Sequence, residues 1–388
     1  MKRKLNILLS GVETNNKGAE LMLYAILQEI ERRHPTAKVY IPFPNIQHGL
    51  KYVKTNIHIR TTPLSRLTMK LHLPELFWAL HLPQYVLANT YLIKSADIFI
   101  DGSGFAFGDQ LDIGKYGLGF WRTILRPLHK RGCKIVFLPQ AFGPVNNQGT
   151  KEAFSLLNQY VDLLMPREQI SYNYLRDSKL VDMRKVRVFT DFTSLVDGVF
   201  PSKYEHLRNG ICIIPNMQMI RKKQISYDNY IKLLTYIAKE CKDSGHTVYL
   251  LNHEGRHDAD LCVECKKSMG GKIEAVTDLN ALEVKGLISS AYIVISSRFH
   301  GLVSSLNSCV PAVATSWSHK YGALFHDYDM DDYLLPLNDL DLAINLVKNI
   351  LESKRNAFIR EHLKKRLPLI QEQTREMWDF VWNILESK

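Results

Sequence analysis

Cysteine is scarce. The six residues Cys133, Cys212, Cys241, Cys262, Cys265 and Cys309 are scattered through 388 positions, too thinly for a disulfide framework. Long apolar runs are missing too: no stretch approaches the roughly 20 uncharged apolar residues of a membrane-spanning helix. Met1-Lys2-Arg3-Lys4 leads into only a short apolar run, Leu5 to Ser10, with no small-residue cleavage site, so a first strand fits better than a signal peptide. A reduced, cytoplasmic setting is the expectation. Acidic residues are in deficit, 39 against 50 Lys and Arg, for a formal net charge of +11 and a pI near 9.2. Such a balance suits nucleic acid, an anionic membrane surface or an anionic ligand. Zinc-finger spacing, an aromatic ribonucleoprotein motif and a basic heptad region are all lacking, which argues against nucleic acid. Neither internal repeats nor low-complexity tracts occur.

What is present has the composition of a globular protein, with 46% hydrophobic and 23% charged residues. The length suits two domains better than one core. Strand-like runs at Leu5–Ser10, Lys38–Phe43, Ile98–Asp101 and Lys134–Pro139 alternate with helical stretches. The first of these helices, Ala19–Arg33, ends at His34-Pro35. The alternation restarts after Pro201: strand Gly210–Pro215, helix Tyr227–Ser244, strand Thr247–Asn252, helix Ala281–Ser290, strand Tyr292–Ser296, helix Leu302–Ser308 and the short run Pro311–Ala314. Repeated βα units imply parallel sheets. The pattern predicts an α/β protein with two Rossmann-like halves and a cleft between them, the ligands lying beyond the carboxyl ends of the strands. The boundary is expected near residues 200–210, around Phe200-Pro201-Ser202-Lys203.

One stretch departs from the alternation. Residues 64–95 mix Leu, Phe, Trp, Tyr and Met with basic residues and two prolines. They read as a pair of buried helices or, set beside the net charge, as a surface that rests on a membrane.

Ser296-Ser297-Arg298-Phe299-His300-Gly301-Leu302 is the strongest local signal. It follows a strand and opens a helix, where free N–H groups and the helix dipole favour anions. Arg298 adds a bidentate fork for phosphate or carboxylate, and His300 a group that exchanges protons near neutrality. A buried Arg and His satisfying carbonyls at a strand end would leave the same trace; the position at a presumed cleft edge favours chemistry. Met165-Pro166-Arg167-Glu168 follows another apolar run, and Arg167 there is either a second anion contact held by Glu168 or half of a surface salt bridge. The loop from Gly11 to Glu20 joins the first strand to the first helix. It could cradle a sugar or phosphate, although it is neither a Walker loop nor a dinucleotide fingerprint, and a plain βα turn would look similar. Asp101-Gly102-Ser103-Gly104 poses the same choice. His253 and His257 precede Cys262-Val263-Glu264-Cys265, which invites a zinc reading. The two cysteines fall one turn apart on an amphipathic helix, Ala259–Met269, so packing explains them better, and His253 suits a catalytic or sugar-contacting role better than a metal.

Taken in order, these pieces resemble the polysaccharide pyruvyl transferase family over most of the chain. The family's Asn-x-Gly-x-Glu stands as Asn16-Lys17-Gly18-Ala19-Glu20, and its Leu-Pro-Gln-x-x-Gly-Pro as Leu138 to Pro144 with Gln140 at its centre. Arg167-Glu168-Gln169-Ile170-Ser171 matches the Arg-Glu-x-x-Ser element, with Asp191 beyond it. His253 followed by Asp258 or Asp260 matches a strand-end histidine and aspartate. Ser297-Arg298-Phe299-His300-Gly301-Leu302 is the most distinctive block, followed by Cys309-Val310-Pro311 and Lys320. Two departures occur: Cys309 where glycine is usual, and Asp101–Gly104 where a run of glycines is commoner.

The resemblance implies a GT-B-like fold with two Rossmann-like domains facing across a cleft. It places an acceptor-side domain at 1–205 contributing Arg167, a donor-side domain at 206–360 carrying Arg298 and His300, and a C-terminal helix at 361–388 that crosses back. It further implies transfer of the enolpyruvyl group of phosphoenolpyruvate to a sugar as a ketal, in bacterial capsule or exopolysaccharide synthesis. His300 would be the acid and base; Arg167, Arg298 and Lys320 would bind phosphoenolpyruvate. Asn16, Gly18, Glu20, Ser103, Gln140 and His253 would line the acceptor side or the cleft. No metal and no cofactor is required, and phosphoenolpyruvate serves as the donor substrate. The net charge and residues 64–95 favour a polyprenyl-diphosphate-linked acceptor at the inner face of the cytoplasmic membrane. The rivals are a GT-B glycosyltransferase using a nucleotide sugar, and a non-catalytic sugar- or lipid-binding subunit of an assembly complex.

Overall fold

The computed structural model describes residues 5–41, 50–54, 56–59, 96–111, 113–315, 320–337 and 339–387. The stretch 64–95 lies outside them. Two compact units emerge: Met1–Glu13, Met22–Phe192 and Gln373–Lys388 form the first, Thr14–Leu21 and Thr193–Glu372 the second. The division therefore falls earlier in the chain than Phe200–Lys203. Its physical reason lies in the contacts on either side. Phe192 packs edge-on against Trp378 in the first unit, whereas the Thr193 carbonyl accepts from Lys285 at 3.1 Å and Val199 N–H donates to Leu282 at 2.9 Å, both in the second.

In the first unit, short apolar runs form the strands β1 (Asn6–Ser10), β2 (Lys38–Ile41), β3 (Asn56–Ile59), β4 (Ile98–Asp101), β5 (Phe105–Phe107), β6 (Lys134–Phe142) and β7 (Leu163–Pro166). Of these, β4, most of β6 and β7 are buried along their length, as parallel sheets require. Their order is β3-β2-β1-β4-β6-β5, with β7 also pairing β6, and every pair is parallel. Ile7 pairs with Val39 on one side and Ile98 on the other. Helices α1 (Lys17–Arg33), α2 (Gly114–Lys130), α3 (Gln148–Tyr160) and α4 (Gln169–Ser178) connect them. Trp121, Leu125, Phe154 and Leu157 pack with Phe107, Phe137 and Phe142 in one core.

The second unit holds β8 (Ile211–Ile214), α5 (Tyr227–Asp243), β9 (Val248–Leu251), α6 (Gly255–Ser268), β10 (Glu274–Val276), α7 (Ala281–Ser289), β11 (Ile293–Ser296), α8 (Phe299–Leu306) and β12 (Ala312–Ala314). Its five parallel strands run β10-β9-β8-β11-β12, the doubly wound order that reverses between β8 and β11. Asn280 and Glu283 form a reciprocal capping box that starts α7. Helices α9 (Lys320–Asp327), α10 (Leu340–Leu351) and α11 (Ser353–Glu386) complete the described chain. No helix among the described residues is long and apolar enough to cross a membrane.

The final turns of α11 belong to the first unit, and Trp382 fixes them there. Its side chain is buried, its indole N–H donates to Glu29 at 3.0 Å, and its ring lies tilted against that of His34, with centroids 4.7 Å apart. Burying a large aromatic while satisfying its N–H stabilises strongly. We expect Trp382→Ala to cost about 3–5 kcal/mol, read as a lowered midpoint for the first unit in urea or thermal unfolding.

Candidate functional site

The polar side chains of the second unit gather where its strand order reverses. Ser296 ends β11, Ser297 follows, and Arg298 is the residue from which α8 starts. Ser297 is pinned on every side. Its N–H donates to the Ile214 carbonyl at 2.9 Å, and its carbonyl accepts from Asn216 Nδ2 at 2.7 Å and Tyr321 Oη at 2.8 Å. Its hydroxyl joins those of Tyr230 and Thr315. Ser296 Oγ closes the turn, accepting from Arg298 N–H at 2.9 Å and donating to the Arg298 carbonyl at 3.0 Å. The backbone leading to His300 is thereby fixed by groups from β8, α5, α9 and the end of β12.

The Arg298 side chain is only 12% exposed and contacts two carboxylates. Nε donates to Asp258 Oδ2 at 2.6 Å, Nη2 lies 2.6 Å from the same oxygen, and Nη1 pairs with Glu254. Both acids come from the start of α6, Glu254 as the extended cap residue before it and Asp258 in its first turn. Burial pushes the Arg298 guanidinium down to about 10, which leaves it charged at neutral pH. Burial likewise pushes Asp258 up to about 7, while the Met217 N–H and Arg221 pull it back; the guanidinium contact acts on the same side as that pull.

The segment Thr14–Leu21 belongs to this unit and brings the Asn-x-Gly-x-Glu residues with it. Asn16 caps α1, its Oδ1 accepting from Gly18 N–H at 2.9 Å and Ala19 N–H at 3.4 Å. Its backbone bridges Glu254, and Lys17 N–H donates to the His253 carbonyl at 3.1 Å. Glu20 is buried and pairs with Lys17 Nζ at 2.9 Å. Gly18 is required by contact: a methyl group there would overlap the His300 imidazole. His253 is buried, and its Nδ1 has no hydrogen-bond partner among the described residues. Lys320 opens α9 with its ammonium 5.4 Å from the centre of the Phe299 ring, within cation–π range.

The first unit gathers a second set. Asp101, at the end of β4, accepts from Ser103 N–H at 3.1 Å, Ser103 Oγ at 3.0 Å and Gln140 Nε2 at 3.4 Å. Burial pushes its carboxyl up against these hydrogen bonds. Gln140 is buried in β6, and its Oε1 has no partner among the described residues. Arg167 follows β7; its N–H donates to the Gln140 carbonyl at 2.9 Å, and its Nε lies 3.7 Å from Glu168. Gly143, at φ +76°, lies against Tyr174, whose ring a side chain would strike, so only glycine fits that point of Leu-Pro-Gln-x-x-Gly-Pro.

Asn16, Gly18, Glu20, His253, Arg298 and His300 thus sit in the second unit, joined by Lys320 beside Phe299, while Ser103, Gln140 and Arg167 sit in the first. Sequence reading missed Glu254 as the second carboxylate on Arg298, and the Tyr230–Ser297–Thr315 hydroxyl chain. The Glu254-x-x-x-Asp258 spacing was a usable signal; the hydroxyl chain had none. Cys262 and Cys265 lie on α6 and are buried in the core. Among the described residues no group of three His, Cys, Asp or Glu side chains could hold a metal ion.

The close approach at Gly18 and the burial of His253 each have a measurable consequence. Alanine near a helix start ordinarily stabilises relative to glycine, but Gly18→Ala should destabilise by about 1–3 kcal/mol through overlap. It should also shift the His300 imidazole resonances in NMR spectra. The second concerns pH. Burial first, then Arg298, His300 and Lys17, hold the His253 imidazole well below its usual 6.5. The unfolded chain binds that proton and the folded chain refuses it, so this contribution is present above about pH 6.5 and lost as pH falls below it. Asp258, raised by burial, has the opposite slope, so the comparison must be with a variant. The loss of stability between pH 7 and pH 5 should be smaller in His253→Asn by up to about 1.4 kcal/mol per pH unit, measured by urea titration.

Comparison with known proteins places this architecture. Among solved structures, HepE of Anabaena in complex with UDP-glucose aligns with 96% of this chain and 98% of its own, at 14% identity and a TM-score of 0.59. The S. aureus MnaA–UDP co-structure aligns with 100% and 99%, at 13% identity and a TM-score of 0.59. UDP-GlcNAc 2-epimerase from Neisseria meningitidis, bound to UDP-GlcNAc, aligns with 98% and 100%, at 10% identity and 0.56. At these identities the likeness is one of fold, the GT-B-like class with Rossmann-like domains. Among curated proteins no sequence matches significantly. The sequence model of the polysaccharide pyruvyl transferase family matches residues 16–319, from the cap of α1 to the residue before α9. This chain belongs to the polysaccharide pyruvyl transferase family.

Proposed function

We propose that the protein transfers the enolpyruvyl carbons of phosphoenolpyruvate to two hydroxyls of one sugar, giving a cyclic pyruvate ketal and inorganic phosphate. The observation that carries this reading is the seating of His300: an imidazole on the first turn of α8, packed over Gly18, after a turn held by at least four elements.

In this scheme His300 donates a proton to the methylene carbon of the enol, and positive charge develops at C2. One sugar hydroxyl attacks C2 and gives its proton to His300, which is restored to its starting state. The C2–O bond to phosphate breaks, a second hydroxyl closes the ring, and its proton leaves with the phosphate. Arg298 and Lys320 in the second unit are the cations proposed for the donor's phosphate and carboxylate. Arg167 in the first unit is proposed to bind an anionic group of the substrates. Ser103, Gln140 and His253, with Asn16, Gly18 and Glu20, are proposed to shape the binding of sugar hydroxyls; the buried Gln140 Oε1 and His253 Nδ1 support this, since such atoms gain most from a partner.

For the acceptor we favour a polyprenyl-diphosphate-linked saccharide met at a membrane surface, as in capsule or exopolysaccharide synthesis. The net charge of +11 supports it, because a basic protein is drawn to anionic lipid. A second reading, a glycosyltransferase using a nucleotide sugar, is favoured by the fold likeness to proteins solved with UDP or UDP-sugars.

The experiment is product analysis with phosphoenolpyruvate and a panel of free and lipid-linked saccharides. We expect acceptor-dependent release of inorganic phosphate that falls about 10²–10⁴-fold in His300→Ala. Release of UDP from a UDP-sugar, with none of phosphate from phosphoenolpyruvate, would replace this reading by the second.

A further inference from the structure

Arg298 is proposed as a cation for the donor, yet its guanidinium is already shared between Glu254 and Asp258. Both Glu254 and Asp258 fill hydrogen-bonding positions of the guanidinium, and with both acids ionised the three groups carry a net charge of minus one, offset in part by Arg221 nearby. A dianionic ligand that adds without displacing either acid meets two carboxylates at contact distance, where the Coulomb term is repulsive. Exchange for one of the carboxylates avoids that cost.

The two acids are not equivalent. Asp258 is 1% exposed, contacts both Nε and Nη2 of Arg298, and accepts the Met217 N–H at 2.9 Å through its other oxygen. Removing it would strand a buried charge and an amide. Glu254 is 31% exposed and meets Nη1 alone. It is also the cap position of α6, yet its side chain makes no capping hydrogen bond, so releasing it unravels nothing. Its backbone is held independently by the bridge to Asn16, so a side-chain rotation into solvent is enough. Beside the pair stands His253, buried with Nδ1 unpartnered among the described residues and within electrostatic reach of Arg298.

We infer that the Glu254 carboxylate occupies the place of a ligand's anionic group on Arg298, and that a phosphate or carboxylate ligand binds by displacing it while Asp258 stays. This deepens the proposed function and rests on its assignment of Arg298 to the donor. The arrangement makes Glu254 a competitor internal to the chain: it occupies Nη1 of the guanidinium, the nitrogen Asp258 does not contact, and sets a threshold that weak or singly contacting anions fail to cross.

The test measures dissociation constants on the full chain by calorimetry, with phosphoenolpyruvate, inorganic phosphate and UDP as separate probes, for wild type, E254Q and D258N. We expect E254Q to tighten phosphoenolpyruvate and phosphate by roughly 2- to 10-fold, the range of an ion pair with one partly exposed partner. D258N should weaken both more than about 10-fold, because the guanidinium loses its fixed partner. E254Q with unchanged or weaker binding of every probe overturns the inference. So does D258N tightening binding as E254Q does, since the two acids would then act only as nearby negative charge. Tightening by E254Q confined to phosphate or UDP keeps Glu254 as the displaced group and overturns the phosphoenolpyruvate assignment instead.

Discussion

A guanidinium buried at the end of a strand keeps its charge only if carboxylates come to it, and this requirement organises the second unit. Arg298 follows β11, whereas both of its partners follow β9. In the sheet order β10-β9-β8-β11-β12 these strands are separated by β8, so the pairing has to pass over the end of β8. The residues after β8 serve both sides. Asn216 Nδ2 donates to the Ser297 carbonyl on the β11 side, and Met217 N–H donates to Asp258 on the β9 side. Three adjacent strand ends are thus joined through one arginine and one short loop. The hydrogen bonds are worth more here than at the surface, because each group would otherwise be left unsatisfied in a buried setting.

The same constraint explains why the start of α1 belongs with the second unit. A helix start offers unpaired N–H groups, and Asn16 uses its own side chain on two of them. The Lys17 N–H is left to the His253 carbonyl at the end of β9. Gly18 then lets the His300 ring approach the helix at a distance no side chain would permit. Asn, Gly and Glu at alternate positions have three separate physical jobs: capping, close approach, and neutralising Lys17 in a buried place.

Much of this was legible in the sequence. Alternating strands and helices gave the α/β class, and β4 and the β11 end matched the expected runs because buried parallel strands read as short aliphatic blocks. β6 extends to Phe142, beyond the expected Pro139, because its end pairs with β5, a three-residue strand too short to show a pattern. The C-terminal helix starts at Ser353 rather than near Arg360 and continues through Pro368, which local propensity disfavours. Arg298 and His300 were visible because they are neighbours at a strand–helix junction. The carboxylates on Arg298 lie 40 and 44 residues away. Both stand ahead of the expected helix Ala259–Met269, which starts at Gly255 in the structure, and only the strand order shows what they meet. The hydroxyls of Tyr230, Ser297 and Thr315 come from three separate elements, and no periodicity relates them.

The two units solve one problem in different ways, and the difference bears on what each can recognise. Each has a buried aspartate near the point where its strand order reverses: Asp101 at the end of β4, and Asp258 reaching toward the end of β11. Asp101 is held by neutral donors, the hydroxyl and amide of Ser103 and the amide of Gln140. Asp258 is held by a guanidinium. A strand end whose carboxyl is satisfied by neutral groups presents amides and hydroxyls, which match the donors and acceptors of a sugar without demanding charge. A strand end built on an ion pair presents charge, and whatever binds there has to bring enough of its own to compete with the partner in place. The overall excess of basic residues attracts anions over long range, but it does not make the Arg298 group positive. Selection at that group falls to local competition with Glu254, a short-range exchange of one carboxylate for another anion.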